Sequence, residues 1–508
     1  MSLAIVYSRA SAGINAPQVT IEVHITKGMP SLSIVGLPET AVKESKDRVR
    51  SALINANFEF PPRRITINLA PADLPKKDGG RFDLAIAIGI LVASDQLCRV
   101  DLSNYEFAGE LALDGTLRFF SGALPFSLAT RDKNRMLIVP DANKDEAALP
   151  EKSIVLAANN LLEVCMHLTH EKNLIPHVCQ KLEIVSGYNV DLADIIGQAY
   201  AKRALEVAAS GGHSLLLTGP PGTGKTMLAS RLATILPEMS EDEAIETATI
   251  NSILGNKFDY TKWRLRPFRA PHHSASSVAL VGGSSPPKPG EISRAHNGVL
   301  FLDELPEFNR SVLEALREPL ESHVVTISRA AHQAKFPANF QFIAAMNPCP
   351  CGHLGDNRIS CNCRLEQIKR YQNRISGPLL DRIDMYIEVP ALPKGILLQP
   401  KKSADCVMSS TVRERVIKAR EMQLDRAGKL NFIMLNREID KFCKINEADR
   451  VFLENAIEKM KLSARAYYRV LKVARTIADL EMSETIELKH LTEALGYRRQ
   501  RHENDEPF

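Results

Sequence analysis

Gly219-Pro220-Pro221-Gly222-Thr223-Gly224-Lys225-Thr226 constrains this chain more than any other stretch, because it follows the apolar run Ser214 to Leu217 and opens into the amphipathic run Met227 to Leu236. The order is strand, glycine loop, helix. A G-x-x-x-x-G-K-[ST] loop needs its glycines so that the backbone can wrap a polyphosphate and present N–H groups with no Cβ in the way. Residues 219–226 therefore read as a binding segment for a nucleoside triphosphate, with Lys225 reaching the outer phosphates and Thr226 holding Mg²⁺. The N-terminus of the following helix adds partial positive charge and unpaired donors, so a triphosphate is the ligand this geometry invites.

A chain of 508 residues exceeds one hydrophobic core, and about three domains are expected. A net charge of +4 permits a nucleic-acid partner without arguing for one, since clustering matters more than the total. No apolar run is long enough to span a bilayer and the first residues lack a basic-then-apolar pattern, so a soluble, cytoplasmic protein with no membrane partner is expected.

The first domain is expected over 1–185. Alternating segments Val19 to Ile25 and Ile65 to Leu69 flank a helical stretch from Glu39 to Ala56. Met136 to Pro140 and Ile154 to Ala157 follow, each leading into a helix, which is α+β or α/β material. Lys77-Asp78-Gly79-Gly80, then Gly109 to Gly115 and Gly122-Ala123-Leu124-Pro125, resemble the proteolytic domain of Lon-type proteases, a fold like ribosomal S5 domain 2. That resemblance implies a nucleophilic serine and a lysine base where this chain has Arg81 and Pro125. Arginine is no nucleophile and proline has no proton-accepting nitrogen, so the domain reads as an inactive relative used for assembly or substrate contact.

The second domain is expected over 191–392. Gly298 to Leu302 is an apolar strand ending in Asp303 and Glu304. A strand buried on both faces belongs to a parallel sheet, and ligands collect at the carboxyl ends of such strands. Asp303 is then placed to hold Mg²⁺ and Glu304 to orient and deprotonate the attacking water. A third strand, Phe340 to Met346, ends at Asn347, which either polarises the same water or forms a turn before Pro348. With Asp194 to Gln198 ahead of the glycine loop, the domain resembles the AAA+ class of ring ATPases. In that class the segment like Ser376-Gly377-Pro378-Leu379-Leu380-Asp381-Arg382-Ile383-Asp384 carries an arginine finger, which implies that Arg382 serves the neighbouring subunit's γ-phosphate; an ion pair with Asp381 or Asp384 is the competing reading.

Arg264 to His273 and Gly282 to Ile292 form a basic, glycine- and proline-rich stretch that reads as loop, and Val324 to Pro337 reads as a hairpin before the Asn347 strand. Their positions resemble the helix-2 insert and pre-sensor hairpin of the branch containing MCM helicases and the magnesium-chelatase ATPase subunit. The resemblance makes Arg266, Arg269, Lys288, Arg329 and Lys335 candidates for DNA phosphate contacts; a solvated loop with incidental charge is the alternative. Next come Cys349-Pro350-Cys351 and Cys361-Asn362-Cys363. Two close pairs in a reducing compartment suit a tetrahedral structural Zn²⁺, with an iron–sulfur cluster or a His353 substitution as alternatives.

A linker over 393–410 and a helical lid over 411–508 complete the chain, with amphipathic helices expected at Val412 to Leu424, Glu447 to Met460, Ala464 to Leu480 and Leu488 to Gly496. Arg465 resembles the second-sensor arginine of the lid, with Arg469 one turn away as competitor; Arg498, Arg499 and Arg501 read as a solvated basic run. Taken in order, the glycine loop, R-P-F-R-A-P-H-H, G-E-I-S, N-P-C-P-C-G, S-G-P-L-L-D-R-I-D and S-A-R-A-Y-Y-R resemble the ComM/YifB family of magnesium-chelatase-like ATPases. The resemblance implies a homohexameric DNA helicase acting on single-stranded, double-stranded or branched DNA, alongside recombination proteins, to drive branch migration during natural transformation. Arg294 departs from the small or apolar residue that the family places after G-E-I-S. A chelatase- or chaperone-type remodeller of a protein is the other class in view, and an ATP-dependent protease is disfavoured by Arg81 and Pro125.

Overall fold

The computed structural model describes residues 2–36, 44–72, 74, 80–98, 100–179, 188–256, 258–284, 287–329, 332–392, 407–460 and 462–498. Lys77 to Gly79, the linker 393–406, Arg499 and Arg501 lie outside them, as do the side chains of Arg329 and His332.

The N-terminal domain is α+β. Ser2–Arg9, Gln18–Thr26, Arg64–Ala70 and Ser31–Val35 form a four-stranded sheet in that spatial order, antiparallel except for its last pair. Alternate side chains of Gln18–Thr26 are buried, as a sheet with one covered face requires. The cover is Asp83–Ala93, an apolar helix with almost every residue buried. Tyr105–Phe107, Met136–Pro140 and Ile154–Ala158 form a parallel three-stranded sheet beside it. The helix expected from Glu39 is described from Ser45 to Asn55. Arg81 is buried against the Phe120 ring, and Pro125 lies buried inside the helix Ala123–Arg131.

The central domain carries a five-stranded parallel sheet in the order Phe268–Arg269, Val299–Leu302, Gln341–Met346, Leu215–Thr218, Met385–Glu388. Each inner strand is apolar and buried on both faces. The stretch after Arg264 is not all loop, contrary to expectation. Phe268 stacks on Phe301 at 6.0 Å, and Val299 N–H donates to Pro267 O at 2.8 Å, which recruits an edge strand too short to show a period. Gly298 permits this: a Cβ there would stand 2.1 Å from Pro267 O. Beyond it, the short helices Ser277–Val281 and Glu291–Arg294 are interrupted by a small hairpin pairing Gly282 with Pro289 and Gly283 with Lys288. The hairpin Val324–Arg329 with His332–Pro337 forms where expected.

The C-terminal helices Ser409–Ala427, Glu447–Lys459, Ala464–Leu480 and Leu488–Gly496, joined by the short unexpected helix Asn436–Phe442, share one apolar core with the sheet and with the helices Ala199–Gly211 and Lys225–Ile235. Polar contacts reinforce the docking. Helix ends leave carbonyls without partners, and lid arginines supply donors: Arg420 to Ala209 O at 2.6 and 3.0 Å, Arg413 to Thr234 O at 2.5 and 2.9 Å. Arg498, expected in solvent, instead donates to Ile383 O and Asp384 O and lies over the Tyr386 ring. Among the described residues no helix is long and apolar enough to cross a membrane.

Candidate functional site

The glycine loop leaves the buried strand Leu215–Thr218 and enters the helix Lys225–Ile235. Gly222 and Gly224 have φ of 75° and 88°, and no atom lies within 4 Å of where a Cβ would sit on either. That open concave side, followed by helix N–H groups with no intrahelical partner, is the shape and charge a polyphosphate fits. Gly219 is tight for another reason: a Cβ there would meet Val389 O at 2.3 Å.

Lys225 is buried at the loop's base, donating to Gly219 O at 2.7 Å, Pro220 O at 2.9 Å and Asn347 Oδ1 at 3.1 Å. Burial lowers its pKa from the ordinary lysine value, against an opposing pull from Asp303 and Glu304. Thr226 Oγ1 donates to Asp303 Oδ2 at 2.6 Å, so the two groups expected to share Mg²⁺ already face each other. Parallel pairing of Val299–Leu302 and Gln341–Met346 delivers Asp303 and Asn347 to the same sheet edge as the loop. Glu304 adopts a left-handed conformation, φ 52° and ψ 48°, which non-glycine residues hold only when their surroundings impose it. Its N–H donates to Asp303 Oδ1 at 2.9 Å, and its carboxylate lies 3.2 Å from His273 Nδ1. The geometry thus unites Lys225, Thr226, Asp303, Glu304 and Asn347, and adds His273, a residue sequence reasoning passed over inside R-P-F-R-A-P-H-H.

Arg382 pairs with neither expected acid. Its guanidinium meets Glu321 Oε1 at 2.6 Å and donates to Pro378 O at 2.7 Å. Asp384 is taken by Arg469, and by Ser214, whose N–H and Oγ each donate to it at 3.0 Å. These contacts hold the Asp384 carboxyl ionised against strong desolvation, far below the usual carboxylate range. Arg469 therefore fastens the lid to the sheet, whereas Arg465 stands exposed in the first turn of Ala464–Leu480.

The basic positions divide. Arg266 is held by Glu243 at 3.0 Å and by Asn297 O at 2.7 Å; Arg269 donates to both oxygens of Glu291 at 2.6 and 2.9 Å, and Arg294 donates to its Oε1 at 2.5 Å. Arg266 and Arg269 are thus ion-paired within the chain, and Arg294 shares Glu291 with Arg269, so one carboxylate faces two guanidiniums. Lys288 and Lys335 are exposed on two hairpins that touch: a Cβ on Gly282 would meet Ile327 Cδ1 at 2.7 Å.

Cys349, Cys351, Cys361 and Cys363 converge, with all four Sγ atoms within 4.8 Å of one another. Sulfur pairs stand 3.4, 3.6 and 3.7 Å apart. Tetrahedral Zn–S bonds of about 2.3 Å place sulfurs about 3.8 Å apart, so the donor set and its size fit a metal ion.

Three family models match this chain: the magnesium chelatase subunit ChlI over 191–397, subunit ChlI of Mg-chelatase over 21–143, and the ChlI C-terminal region over 407–498. The competence protein ComM of Haemophilus influenzae is 56% identical, with 98% of each chain covered. The YifB proteins of Salmonella typhimurium and Escherichia coli are each 51% identical over 98% of this chain and 97% of theirs. The chain belongs to the ComM/YifB family of magnesium-chelatase-like AAA+ ATPases.

Proposed function

We propose that this protein is a hexameric ATP-driven DNA motor that promotes branch migration while incoming DNA is integrated during natural transformation. One observation carries the reading: two touching hairpins present Lys288 and Lys335 and lead into the strands Val299–Leu302 and Gln341–Met346, beyond whose far ends stand Asp303, Glu304 and Asn347. Lysines on such loops grip phosphates with little regard to sequence. In this reading the interrupted helix 277–294 is the helix-2 insert and 324–337 the pre-sensor hairpin, while the N-terminal domain is a Lon-like fold that has lost its chemistry. The Haemophilus influenzae relative, a competence protein, points the same way.

ATP is held by residues 219–226, and Mg²⁺ by Thr226 and Asp303. The metal neutralises phosphate charge when bound. Lys225 orients the outer phosphates, Glu304 accepts the proton of the attacking water, and Asn347 fixes that water. Arg382 exchanges Glu321 for the neighbouring subunit's phosphate, and Arg465 reports from the lid. Four thiolates hold a zinc ion with no coordination position left for substrate, so its role is structural.

The test is ATP-dependent movement of a labelled three- or four-stranded DNA junction by wild type and Glu304→Gln. Wild type should resolve the junction, and the variant should lose at least about a hundredfold in rate. No movement, with ATP turnover indifferent to any DNA, overturns the reading in favour of a protein remodeller.

A further inference from the structure

The segment that carries the four cysteines leaves Asn347 directly and folds back on the glycine loop. Gly352, at φ 84°, lies so close that a Cβ would stand 2.7 Å from both Cγ and Cδ of Pro221 and 3.9 Å from Cγ of Asn347. Asn347 in turn meets Lys225 Nζ. The same segment grips the helix Leu365–Gln372 that follows Cys363, since Gln372 Nε2 donates to Pro348 O at 3.0 Å. Just beyond that helix, Arg374 meets Glu307 at 2.8 Å, three residues past Glu304.

The segment has little core of its own: Cys349 is buried, but from 350 to 364 only Gly352 is, and the loop's internal ties include those of Asp356 to His353 and Arg358. So little burial offsets the loop's conformational entropy poorly, whereas a four-ligand metal site offsets it well. Chain order and contacts thus make the cysteine centre a fixed point shared by the phosphate loop, the Asn347 amide and the helix leading toward Arg382.

We propose that the four-cysteine centre is a brace of the ATP site, so that metal occupancy sets the rate of ATP turnover. This rests on the zinc reading above. The metal fixes the turn at Gly352, the turn fixes Pro221 and Asn347, and those place the outer phosphate and the attacking water. Misplacement by about 1 Å at such a site costs up to about a hundredfold in rate.

The experiment uses the full-length protein purified under reducing conditions. Zinc is counted by elemental analysis before and after thiol-directed release with an organomercurial, and ATP turnover and binding of a fluorescent ATP analogue are measured on the same samples. The expected result is about one zinc per chain and a fall in kcat of at least about tenfold on release. The fall in analogue affinity should be smaller, because Asn347 acts on the water rather than on bound nucleotide. Zinc with excess thiol should restore turnover. Gly352→Ala keeps all four thiols but presses on Pro221, so it should retain zinc and still lose turnover. Zinc-free protein with unchanged kcat overturns the brace while leaving the zinc site standing. Protein that takes up no zinc even when supplied with it overturns both.

Discussion

Glu146 shows how a single side chain can report an interface. It sits in the N-terminal domain against Ser252 of the helix Glu241–Ile253 in the central domain, where Ser252 also accepts the Gly122 and Leu124 N–H groups. Its Oε1 has no hydrogen-bond partner among the described residues, and burial raises its pKa from 4.5 to about 7. Between those values the folded protein holds a proton that the unfolded chain has released, so stability is greatest at the acid end and falls as pH rises toward 7. Above that, the buried carboxylate costs about 3 kcal/mol. Glu146→Gln keeps the shape of the neutral acid, so it should match wild type near pH 4 and exceed it in thermal midpoint near pH 8. Equal midpoints at both pH values would mean that the carboxylate is solvated in solution.

At the scale of elements, what was legible followed from local spacing. The strand, glycine loop and helix around Lys225, the Val299–Leu302 strand into Asp303, and the four C-terminal helices expected carry their signal within a few residues of themselves, whereas the short helix Asn436–Phe442 did not stand out. Elements fixed by tertiary contact were not legible. Asp83–Ala93 is apolar on every side and shows no helical stripe, and Phe268–Arg269 is two residues that become a strand only beside Val299 and Leu300. The fates of Arg266 and Arg269 depend on Glu243 and Glu291, more than twenty positions away in sequence, and nothing in a basic loop announces such partners. The same distance hid the lid's anchoring. Arg420 ends the helix Ala199–Gly211 by satisfying Ala209 O, a favourable place for a cation beside a helix C-terminus. Arg420→Ala should cost about 1–2 kcal/mol of lid docking. Amide exchange over 409–427 should quicken while the N-terminal sheet is unchanged; uniform exchange across both regions would assign Arg420 a global role instead.

In the proposed ring, the nucleotide site would draw on two subunits. Lys225, Thr226, Asp303, Glu304 and Asn347 all come from this chain, yet Arg382 is engaged with Glu321 rather than with any of them. An arginine in that state serves catalysis only if a neighbouring subunit's phosphate outcompetes Glu321, which is the logic of a shared site in a ring. Lys225→Ala should then lose most ATP turnover through its own site, and Arg382→Ala through its neighbour's. In mixed rings, an Arg382→Ala subunit with intact Lys225 can lie beside a Lys225→Ala subunit that still donates Arg382. Random equimolar assembly creates such a pairing at about a quarter of interfaces, so mixing two inactive preparations should restore turnover to a corresponding fraction of wild type. Independent sites predict none, because every subunit in the mixture would carry its own defect wherever it sits.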